Sequence, residues 1–372
     1  MLVAPDKFKG SLTAAEVASR VSAGLGVPTV ELPVADGGDG TVDAAVACGF
    51  ERVTLQVTGP TGHPVQAAYG RRGDTAVVEM AEASGLRRLP GGHEPLTATS
   101  RGTGELIAHA LGHGARRIVL GLGGSACTDG GAGMVQALGA RLLDASGNEL
   151  GHGGAELARL EKIDISGFVD LAGVEVVVAS DVDNPLLGPH GAAAVYGPQK
   201  GATVDDVKLL DSALARLAAV ATRTHGLVGA VEHDDVVRAM GVAGAPGAGA
   251  AGGVGFAALA FLRADVQPGI EYLLDLLGFG EQVEGARLVV TGEGSLDEQS
   301  LHGKAPIGVA RAAARAGVPV VAVCGRRTLS DEQLREAGIE AAYALTDLEP
   351  DPERCMAEAG PLLERLAAQI RL

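Results

Sequence analysis

The segment from Thr291 to Lys304 combines glycines, acids and a basic residue in a pattern that favours binding of a phosphorylated ligand. It follows an apolar run, RLVV, that is typical of a buried strand, and it precedes a helical pattern with Pro306 in its first turn. Glycines let the backbone approach a ligand, and acids can hold a metal ion. Lys304 alone could be an ordinary surface lysine, but the neighbouring Glu293 and Asp297 favour a site.

Two loops near the N-terminus also carry charged residues among glycines. The first, APDKFKGS, places Lys7 and Lys9 just ahead of a helix, where they could bind a carboxylate or a phosphate. A solvated turn is the alternative interpretation. The second, PVADGGDGT, places Asp36 and Asp39 where they could hold a magnesium ion or bond sugar-like hydroxyls. A tight turn with helix-capping acids is the alternative, and for this loop taken alone it is the favoured interpretation.

A third loop, GLGGSACTDGG, follows a predicted strand and has two interpretations. Its residues Gly121, Gly123 and Ala126 resemble a dinucleotide-binding fingerprint, which needs an acid at the end of a second strand about 20 residues later. Asp144 has that spacing but lies in a turn signal. A general phosphate or carboxylate loop that includes Ser125, with helix amides directed at the anion, fits as well.

A fourth motif places two acids after a very apolar strand. Asp181 and Asp183 follow the run VEVVVA, and they would point the same way if the strand continued. One could then bind a metal ion while the other accepts a proton from a substrate hydroxyl. An Asx turn before Pro185 is the alternative, but buried strand carboxylates would need a partner, which favours a functional role.

Composition narrows the function classes. Aromatic residues are 3% of the 372 residues, there is no tryptophan, and the net charge is −16. These values argue against nucleic acid and acidic membrane surfaces as partners. The four cysteines are scattered and no signal peptide is evident, so we expect reduced thiols and a cytoplasmic location. The sequence specifies no oligomeric state, and a homodimer stays open.

The elements that must position these loops alternate between apolar strands and helices. This alternation is typical of an α/β fold with mainly parallel sheets. After the turn Gly59–Gly62 the alternation breaks into short hairpin-like pieces, which indicates an inserted domain. We therefore predict a discontinuous Rossmann- or flavodoxin-like α/β domain, residues 1–58 plus 272–372, and an inserted α/β domain, residues 59–271.

Taken together, the loops resemble the glycerate kinase type 1 family. The resemblance runs in order from Met1 to nearly Leu372 and rests on five motifs: APDKFKGSL (4–12), ADGGDGT (35–41), GGSACTDGG (123–131), DVDNPL (181–186) and TGEGSLDEQSLHGK (291–304). One departure is Cys127-Thr128, where many members are expected to have Thr-Asn. It affects only the shape of that loop.

The resemblance implies a two-domain kinase with its site in the cleft between the domains. It also implies ATP and Mg²⁺ as cofactors and the small molecule D-glycerate as phosphoryl acceptor. The expected product is 2-phosphoglycerate, with 3-phosphoglycerate as the alternative. In that framework the hypothesis assigns Asp181 as the base, with Lys7 and Lys304 as catalytic cations.

The remaining roles complete this hypothesis. The expected substrate contacts are Asp6, Lys9, Ser11, Asp36, Asp39, Ser125, Asp183 and Asn184. The expected ATP and phosphate contacts are Gly292, Gly294, Ser295, Gly303 and Lys304. The expected metal ligands are Glu293 and Asp297, with Asp183 as a further candidate.

Two rival functions stay open at this point. One is an NAD(P)-dependent oxidoreductase of a small hydroxy acid, which would use the loop at Gly121–Ala126. The other is a non-catalytic carboxylate-binding protein, since charged loops on α/β domains also suit that role. The first would bind NADH, and the second would bind glycerate without consuming ATP.

Overall fold

The computed structural model describes residues 1–225, 231–233, 236–238 and 241–370. The chain forms two compact units. The first consists of Met1–Phe50 and Pro268–Leu372, and the second of Glu51–Gln267. The second unit is therefore an insertion in the first.

The strands of the described residues are numbered in chain order: β1 (Leu2–Pro5), β2 (Val30–Glu31), β3 (Glu51–Thr58), β4 (Pro64–Arg72), β5 (Thr75–Glu79), β6 (Arg117–Gly121), β7 (Arg141–Leu143), β8 (Lys162–Asp164), β9 (Glu175–Ala179), β10 (Val231–His233), β11 (Val236–Arg238), β12 (Asp265–Gln267), β13 (Val289–Leu296), β14 (Val320–Arg327) and β15 (Ala341–Ala344).

The α-helices are α1 (Ala14–Leu25), α2 (Thr41–Ala47), α3 (Met80–Ser84), α4 (Arg101–Gly112), α5 (Ala132–Ala137), α6 (Ala192–Tyr196), α7 (Val204–His225), α8 (Ala250–Phe261), α9 (Gly269–Leu277), α10 (Phe279–Val283), α11 (Ala305–Arg315), α12 (Asp331–Glu336), α13 (Pro352–Ala357) and α14 (Ala359–Ala367). No helix of the described residues is both long and apolar enough to cross a membrane.

The first unit is built on a five-stranded parallel sheet in the order β15-β14-β13-β1-β2. From β1 the chain moves to β2 on one side. From β13 it moves to β14 on the other. The strand order thus reverses between β1 and β13, and the crevice at the carboxyl ends of such a pair is where open α/β sheets bind ligands. The loops after β1 and β13 meet at this point.

Helix α1 shows how local sequence positions the elements of the first unit. Thr13 and Glu16 form a reciprocal capping box at its start, and Gly26 ends it in a left-handed conformation. Its buried face, including Val17 and Val21, joins the core that α14 also covers. At Gly24 a Cβ atom would lie 2.2 Å from the carbonyl oxygen of Glu364, so only glycine permits this close helix contact.

The second unit contains a six-stranded sheet in the order β12-β9-β6-β5-β4-β3. Strands β3, β4 and β5 pair antiparallel, whereas β5, β6, β9 and β12 are parallel. The mainly parallel α/β prediction is confirmed, and the hairpin pieces after Gly62 are the antiparallel edge. Helices α4, α5 and α8 bury Leu106, Met134 and Val254 in one core with the sheet.

The unit boundaries differ from the predicted ones for physical reasons. Residues 51–58 were assigned to the first domain, but they form β3, whose whole length pairs with β4 of the second unit. Residues 268–271 were assigned to the inserted domain. They instead form the N-cap and first turn of α9, which packs on α11 of the first unit. The chain therefore crosses between the units at 50/51 and 267/268.

We expect Gly24→Ala to destabilise the protein by about 1–3 kcal/mol, because the new methyl group would overlap the backbone of α14. Gly280→Ala is the matched control. It is also a helical glycine of the first unit, and a Cβ there would meet no atom within 4 Å. Improved helix propensity should leave this control neutral or more stable by up to about 1 kcal/mol. Urea unfolding followed by circular dichroism measures both, and equal effects would contradict the packing account.

Candidate active site

The carboxyl edge of the sheet in the first unit gathers three of the five predicted loops. The backbone N–H of Asp6 donates to the carbonyl of Gly292 at 2.8 Å, which joins the loop after β1 to β13. The N–H of Val34 donates to the carbonyl of Pro5 at 3.0 Å, which brings the loop containing Asp36 and Asp39 alongside. The parallel pairing thus assembles charged residues that are distant in sequence.

Lys7 links two of these loops directly. Its Nζ donates a hydrogen bond to the backbone oxygen of Asp39 and lies 3.8 Å from Oδ1 of Asp6. Its side chain is largely buried, with 20% exposed. The ammonium group is therefore fixed at the sheet edge rather than free in solvent, as binding of an anion at a defined position requires.

Asp6 is the most perturbed carboxyl group at this edge. Burial raises the pKa of Asp6 to about 7, the positive charge of Lys7 lowers it, and the negative charges of Asp36 and Glu293 raise it further. The residue is 8% exposed, and one carboxylate oxygen accepts the backbone N–H of Lys7 at 2.6 Å. A carboxyl group that titrates near neutral pH is suited to proton transfer.

Glu293 and Lys304 form the second charged pair of the edge. Nζ of Lys304 lies 4.0 Å from Oε2 of Glu293, and the Ser300 hydroxyl donates to Oε1. Burial raises the pKa of Glu293, while Ser300 and Lys304 counteract that rise. The predicted grouping of Glu293 with Lys304 is present in the geometry, and Ser300 is a participant that the sequence interpretation missed.

Lys304 precedes α11, whose eleven residues begin with proline in the first turn. The N-terminal amides of a helix carry partial positive charge and favour anions. Gly303 lies before it with φ +97°, a conformation that glycine adopts readily, and it turns the chain into the helix. A helix start, a lysine and a nearby acid thus lie within one short stretch of chain.

The strand before this stretch is longer than predicted. The apolar run RLVV ends at Val290, but β13 continues to Leu296 because residues 289–296 pair with β14. Gly292 therefore lies inside the sheet, where a Cβ atom would approach the carbonyl oxygen of Val323 to 2.3 Å. Strand packing accounts for this glycine without a ligand.

Arg326 is a further cation that the sequence interpretation missed. It pairs in register with Ser295, and its Nε donates to the Ser295 hydroxyl at 3.0 Å. That hydroxyl in turn lies 3.1 Å from Oδ2 of Asp297 and can donate to it. The sequence signal was the basic pair after the apolar run VVAVCG, at the end of a neighbouring parallel strand.

The acids Glu293 and Asp297 fit a magnesium ion only in part. Mg²⁺ commonly takes one or two protein carboxylates and completes its shell with phosphate oxygens and water. Oδ1 of Asp297 already accepts the N–H of Gln299 at 3.0 Å, which organises the turn. Among the described residues no group of three or more His, Cys, Asp or Glu side chains could hold a metal ion. A metal at this edge would therefore depend on the phosphates of its substrate.

Other predicted contacts of the first unit have local structural roles. The Ser11 hydroxyl donates to the carbonyl of Phe8 at 3.1 Å, and Oδ1 of Asp36 accepts the N–H of Gly38 at 3.1 Å. Both bonds stabilise turns. Lys9 is exposed at the same edge.

In the second unit, Ser125 lies in the loop after β6 and is 6% exposed. Its hydroxyl accepts a hydrogen bond from Nζ of Lys200 at 2.8 Å, and the carbonyl of Cys127 accepts another at 2.5 Å. Burial lowers the pKa of Lys200 to about 8, and Cys127 and Asp129 oppose that shift. The sequence interpretation missed Lys200, which lies in no motif.

In the same loop, the amides that were predicted to bind a ligand anion already donate to a side chain of the protein. The carboxylate of Asp129 is fully buried and accepts the N–H groups of Gly131 and Gly133 at 3.1 and 3.2 Å. It also accepts the backbone N–H and the hydroxyl of Ser100, both at 2.8 Å. The anion at these amides is therefore a side chain of the protein itself.

The dinucleotide interpretation of this loop also fails. Asp144 does not end a strand beside β6 but organises a turn, where Oδ1 accepts the N–H groups of Ser146 and Asn148, each at 2.9 Å. Helix α5 after the loop is only six residues long. The geometry of a dinucleotide fingerprint, with an acid at the next strand end, is absent from this described part of the chain.

The acids after β9 do not lie in a buried strand, as the sequence interpretation assumed. The strand ends at Ala179, and both Asp181 and Asp183 are exposed. Asn184 braces the loop: its amide donates to the carbonyl of His190 at 2.9 Å and accepts the Tyr196 hydroxyl at 2.6 Å. Because Asp181 is not buried in a strand, burial gives no reason to assign it as a base. An exposed acid can still contact substrate.

Comparison with known proteins identifies relatives of the whole chain. The sequence profile described as "Glycerate kinase family" matches residues 1–372. The chain is 45% identical over 380 residues to "Glycerate kinase" of Bacillus subtilis (strain 168), covering 100% of this chain and 96% of the relative. It is 46% identical over 356 residues to "Glycerate 2-kinase" of Escherichia coli (strain K12), covering 93% and 90%.

A solved structure agrees with these relatives. The crystal structure of a putative glycerate kinase 2 from Salmonella typhimurium LT2 superposes with a TM-score of 0.83 at 43% identity. The similarity covers 99% of this chain and 96% of that one.

The unusual pKa of Asp6 predicts a pH-dependent stability. Folding raises its pKa from 3.8 to about 7. The contribution of Asp6 to the free energy of unfolding is therefore fully present below about pH 4, and it is lost as the pH rises through about 7. We expect Asp6→Asn to gain about 2 kcal/mol relative to wild type between pH 5 and pH 8.

Urea unfolding at a series of pH values measures this difference. Asp275→Asn, which changes an exposed carboxylate of the same unit, is the matched control and should show no such trend. If the difference in unfolding free energy between wild type and Asp6→Asn stayed constant with pH, it would contradict a buried Asp6 with a raised pKa.

Proposed function

Because the chain belongs to the glycerate kinase family and is therefore a kinase with a nucleotide substrate, we propose that it phosphorylates D-glycerate with ATP and Mg²⁺. The proposed product is 2-phosphoglycerate, and the name of the 46%-identical relative, glycerate 2-kinase, supports this choice over 3-phosphoglycerate. The full-length family match is the observation that carries the proposal. The fixed cations of the first unit are consistent with it.

The proposed chemistry depends on placing positive charge around the transferred phosphoryl group. Phosphoryl transfer is accelerated chiefly by positioning and by cancelling negative charge. Lys304, the start of α11 and Arg326 are the proposed phosphate contacts. Lys304 pairs with Glu293 of β13, and Arg326 of the neighbouring strand β14 hydrogen-bonds Ser295 of β13. Lys7 is the proposed contact for the glycerate carboxylate or the transferred group, since the hydrogen bond from its Nζ to the backbone oxygen of Asp39 fixes the ammonium group in place.

Mg²⁺ would neutralise part of the phosphate charge when bound. Glu293 and Asp297 are its proposed protein ligands. Glu293 also holds Lys304 through their ion pair, so it would keep the lysine oriented in the same arrangement. In the second unit Ser125 is the proposed contact for the acceptor, and Asp181, Asp183 and Asn184 are proposed to border it.

Asp6 replaces Asp181 as the proposed base. A base works best when its pKa lies near the working pH, and burial brings Asp6 to about 7. Asp181 is exposed beyond the end of β9. The hydroxyl of glycerate would transfer its proton to Asp6 as its oxygen bonds to the γ-phosphorus of ATP, while the bond from that phosphorus to the β–γ bridging oxygen breaks and ADP leaves.

The rival functions lose support at specific residues. Asp144, which the oxidoreductase would need at a strand end, lies in a turn instead. In a carboxylate-binding protein without catalytic activity, Asp6 with its near-neutral pKa beside the fixed Lys7 would have no function.

The direct test of the function measures ADP release with D-glycerate, ATP and Mg²⁺. We expect glycerate-dependent ADP release, and we expect added enolase to convert the product at once because 2-phosphoglycerate is its substrate. Product that needs a phosphoglycerate mutase before enolase acts would indicate 3-phosphoglycerate. The absence of ADP release with any small hydroxy acid would contradict the kinase proposal.

The choice of base predicts distinct pH profiles for two matched variants. In wild type, kcat/KM should fall about tenfold per pH unit below about pH 7, as Asp6 becomes protonated. Asp6→Asn should lower kcat by roughly 10²–10⁴-fold and remove this acidic limb. Asp181→Asn should keep the limb. A limb that survives in Asp6→Asn and disappears in Asp181→Asn would return the role to Asp181.

A further inference from the structure

A buried ammonium group lies beneath the loop that carries Ser125. Lys200 is 1% exposed and ends a short helical turn, Pro198–Lys200, ahead of α7. Its Nζ donates to the Ser125 hydroxyl at 2.8 Å and to the Cys127 carbonyl at 2.5 Å. Both acceptors are uncharged, so these bonds do not neutralise the lysine.

The charges around Lys200 are few. Burial raises the pKa of the Cys127 thiol well above its ordinary value. Asp129 attracts Lys200 electrostatically, but its carboxylate already accepts four hydrogen bonds from Ser100, Gly131 and Gly133. Burying a charge is unfavourable, and an apolar side chain of similar shape would fill the same space at lower cost. Packing alone therefore does not explain a lysine here.

The bond to Ser125 has a directional consequence. An ammonium group has donors only, so the serine oxygen must accept from it. The serine proton is then turned away from Lys200 and toward another acceptor. Among the described residues the structure gives the Ser125 hydroxyl no acceptor for that proton. Ser125 is buried, with 6% of its surface exposed, and it lies directly after the exposed Gly124.

We propose that Lys200 is a positioning residue that holds Ser125 as a hydrogen-bond donor to the carboxylate of the acceptor substrate. The proposal rests on the proposed function, which supplies a small hydroxy acid as acceptor. The buried positive charge polarises the serine hydroxyl and attracts an anion to its open side, and hydrogen bonds to charged acceptors are stronger than those to neutral ones. Lys200 itself does not contact the substrate.

The test is a double-mutant cycle in the full-length protein. Steady-state kinetics are measured for wild type, Ser125→Ala, Lys200→Met and the double variant, with D-glycerate and ATP varied separately. We expect each single variant to raise KM for D-glycerate about 10–100-fold, the range for a bond to a charged group. The double variant should be no worse than Ser125→Ala, because Lys200 acts through that hydroxyl. KM for ATP should stay within about twofold.

Two further variants separate positioning from packing. Ser125→Thr keeps the hydroxyl and should retain most of the affinity that Ser125→Ala loses. Lys200→Gln keeps a donor without the charge and should fall between wild type and Lys200→Met. Urea unfolding of each variant shows whether lost stability, rather than lost orientation, accounts for the kinetics.

A second measurement follows the lysine directly. With ¹³C-labelled lysine, the NMR titration of Lys200 should report a pKa near 8 in the free protein. Saturating D-glycerate should move that pKa upward, since a carboxylate placed at Ser125 stabilises the nearby ammonium group. This readout does not require turnover.

The outcomes are distinct. If wild type releases no ADP with D-glycerate, the proposed function fails. If wild type is active but the two substitutions are additive, if only KM for ATP changes, or if D-glycerate leaves the Lys200 pKa unmoved, the positioning role alone is overturned.

Discussion

The parallel pairing of β1 with β13 determines where the charged side chains of the first unit lie. These strands come from opposite ends of the chain, and their pairing joins the two chain segments of the first unit. Because the two strands are parallel, the loops after both of them lie at the same edge of the sheet. Asp6 is held there by a backbone bond to Gly292, and Lys7 then reaches the carbonyl of Asp39. The perturbed carboxyl group, the fixed lysine and the pair Glu293–Lys304 all depend on this single register.

The second unit shows a different use of buried charge. Asp129 occupies the helix-start amides that resemble a ligand-binding loop, so the protein supplies its own anion there. Asp129 attracts Lys200 electrostatically, and Lys200 donates its hydrogen bonds to Ser125 and Cys127. One buried acid and one buried base thus fix the shape of the loop, and the Ser125 hydroxyl accepts the hydrogen bond of the base.

Sequence patterns predicted much of this arrangement. The apolar runs at β1, β6, β9, β13 and β14 identify the parallel strands, because buried strands are continuous hydrophobic segments. The break after Gly59–Gly62 correctly marked the change to antiparallel pairing, but the strand β3 before it was assigned to the wrong unit. The sequence of β3, a largely exposed strand whose exposure alternates, does not indicate which sheet the strand will join. Only its partner β4 decides that.

The residues that sequence reasoning misjudged depend on long-range contacts. Lys200 lies in an unremarkable turn, and its importance comes from a serine 75 residues away. Arg326 becomes a candidate because it is in register with Ser295. Asp181 looked buried because its strand is apolar, yet the strand stops two residues earlier. Burial and pairing, which decide pKa and orientation, are properties of the assembled sheet rather than of the local motif.

The central claim is that phosphate is handled at the carboxyl edge of the first unit's sheet. The most direct test is a crystal structure of the protein with a non-hydrolysable ATP analogue, Mg²⁺ and D-glycerate. The account predicts β- and γ-phosphate density at Lys304, Arg326 and the start of α11, with the metal at Glu293. Phosphate density at the Gly121–Ser125 loop of the second unit, with the first unit's edge free of phosphate, would contradict it.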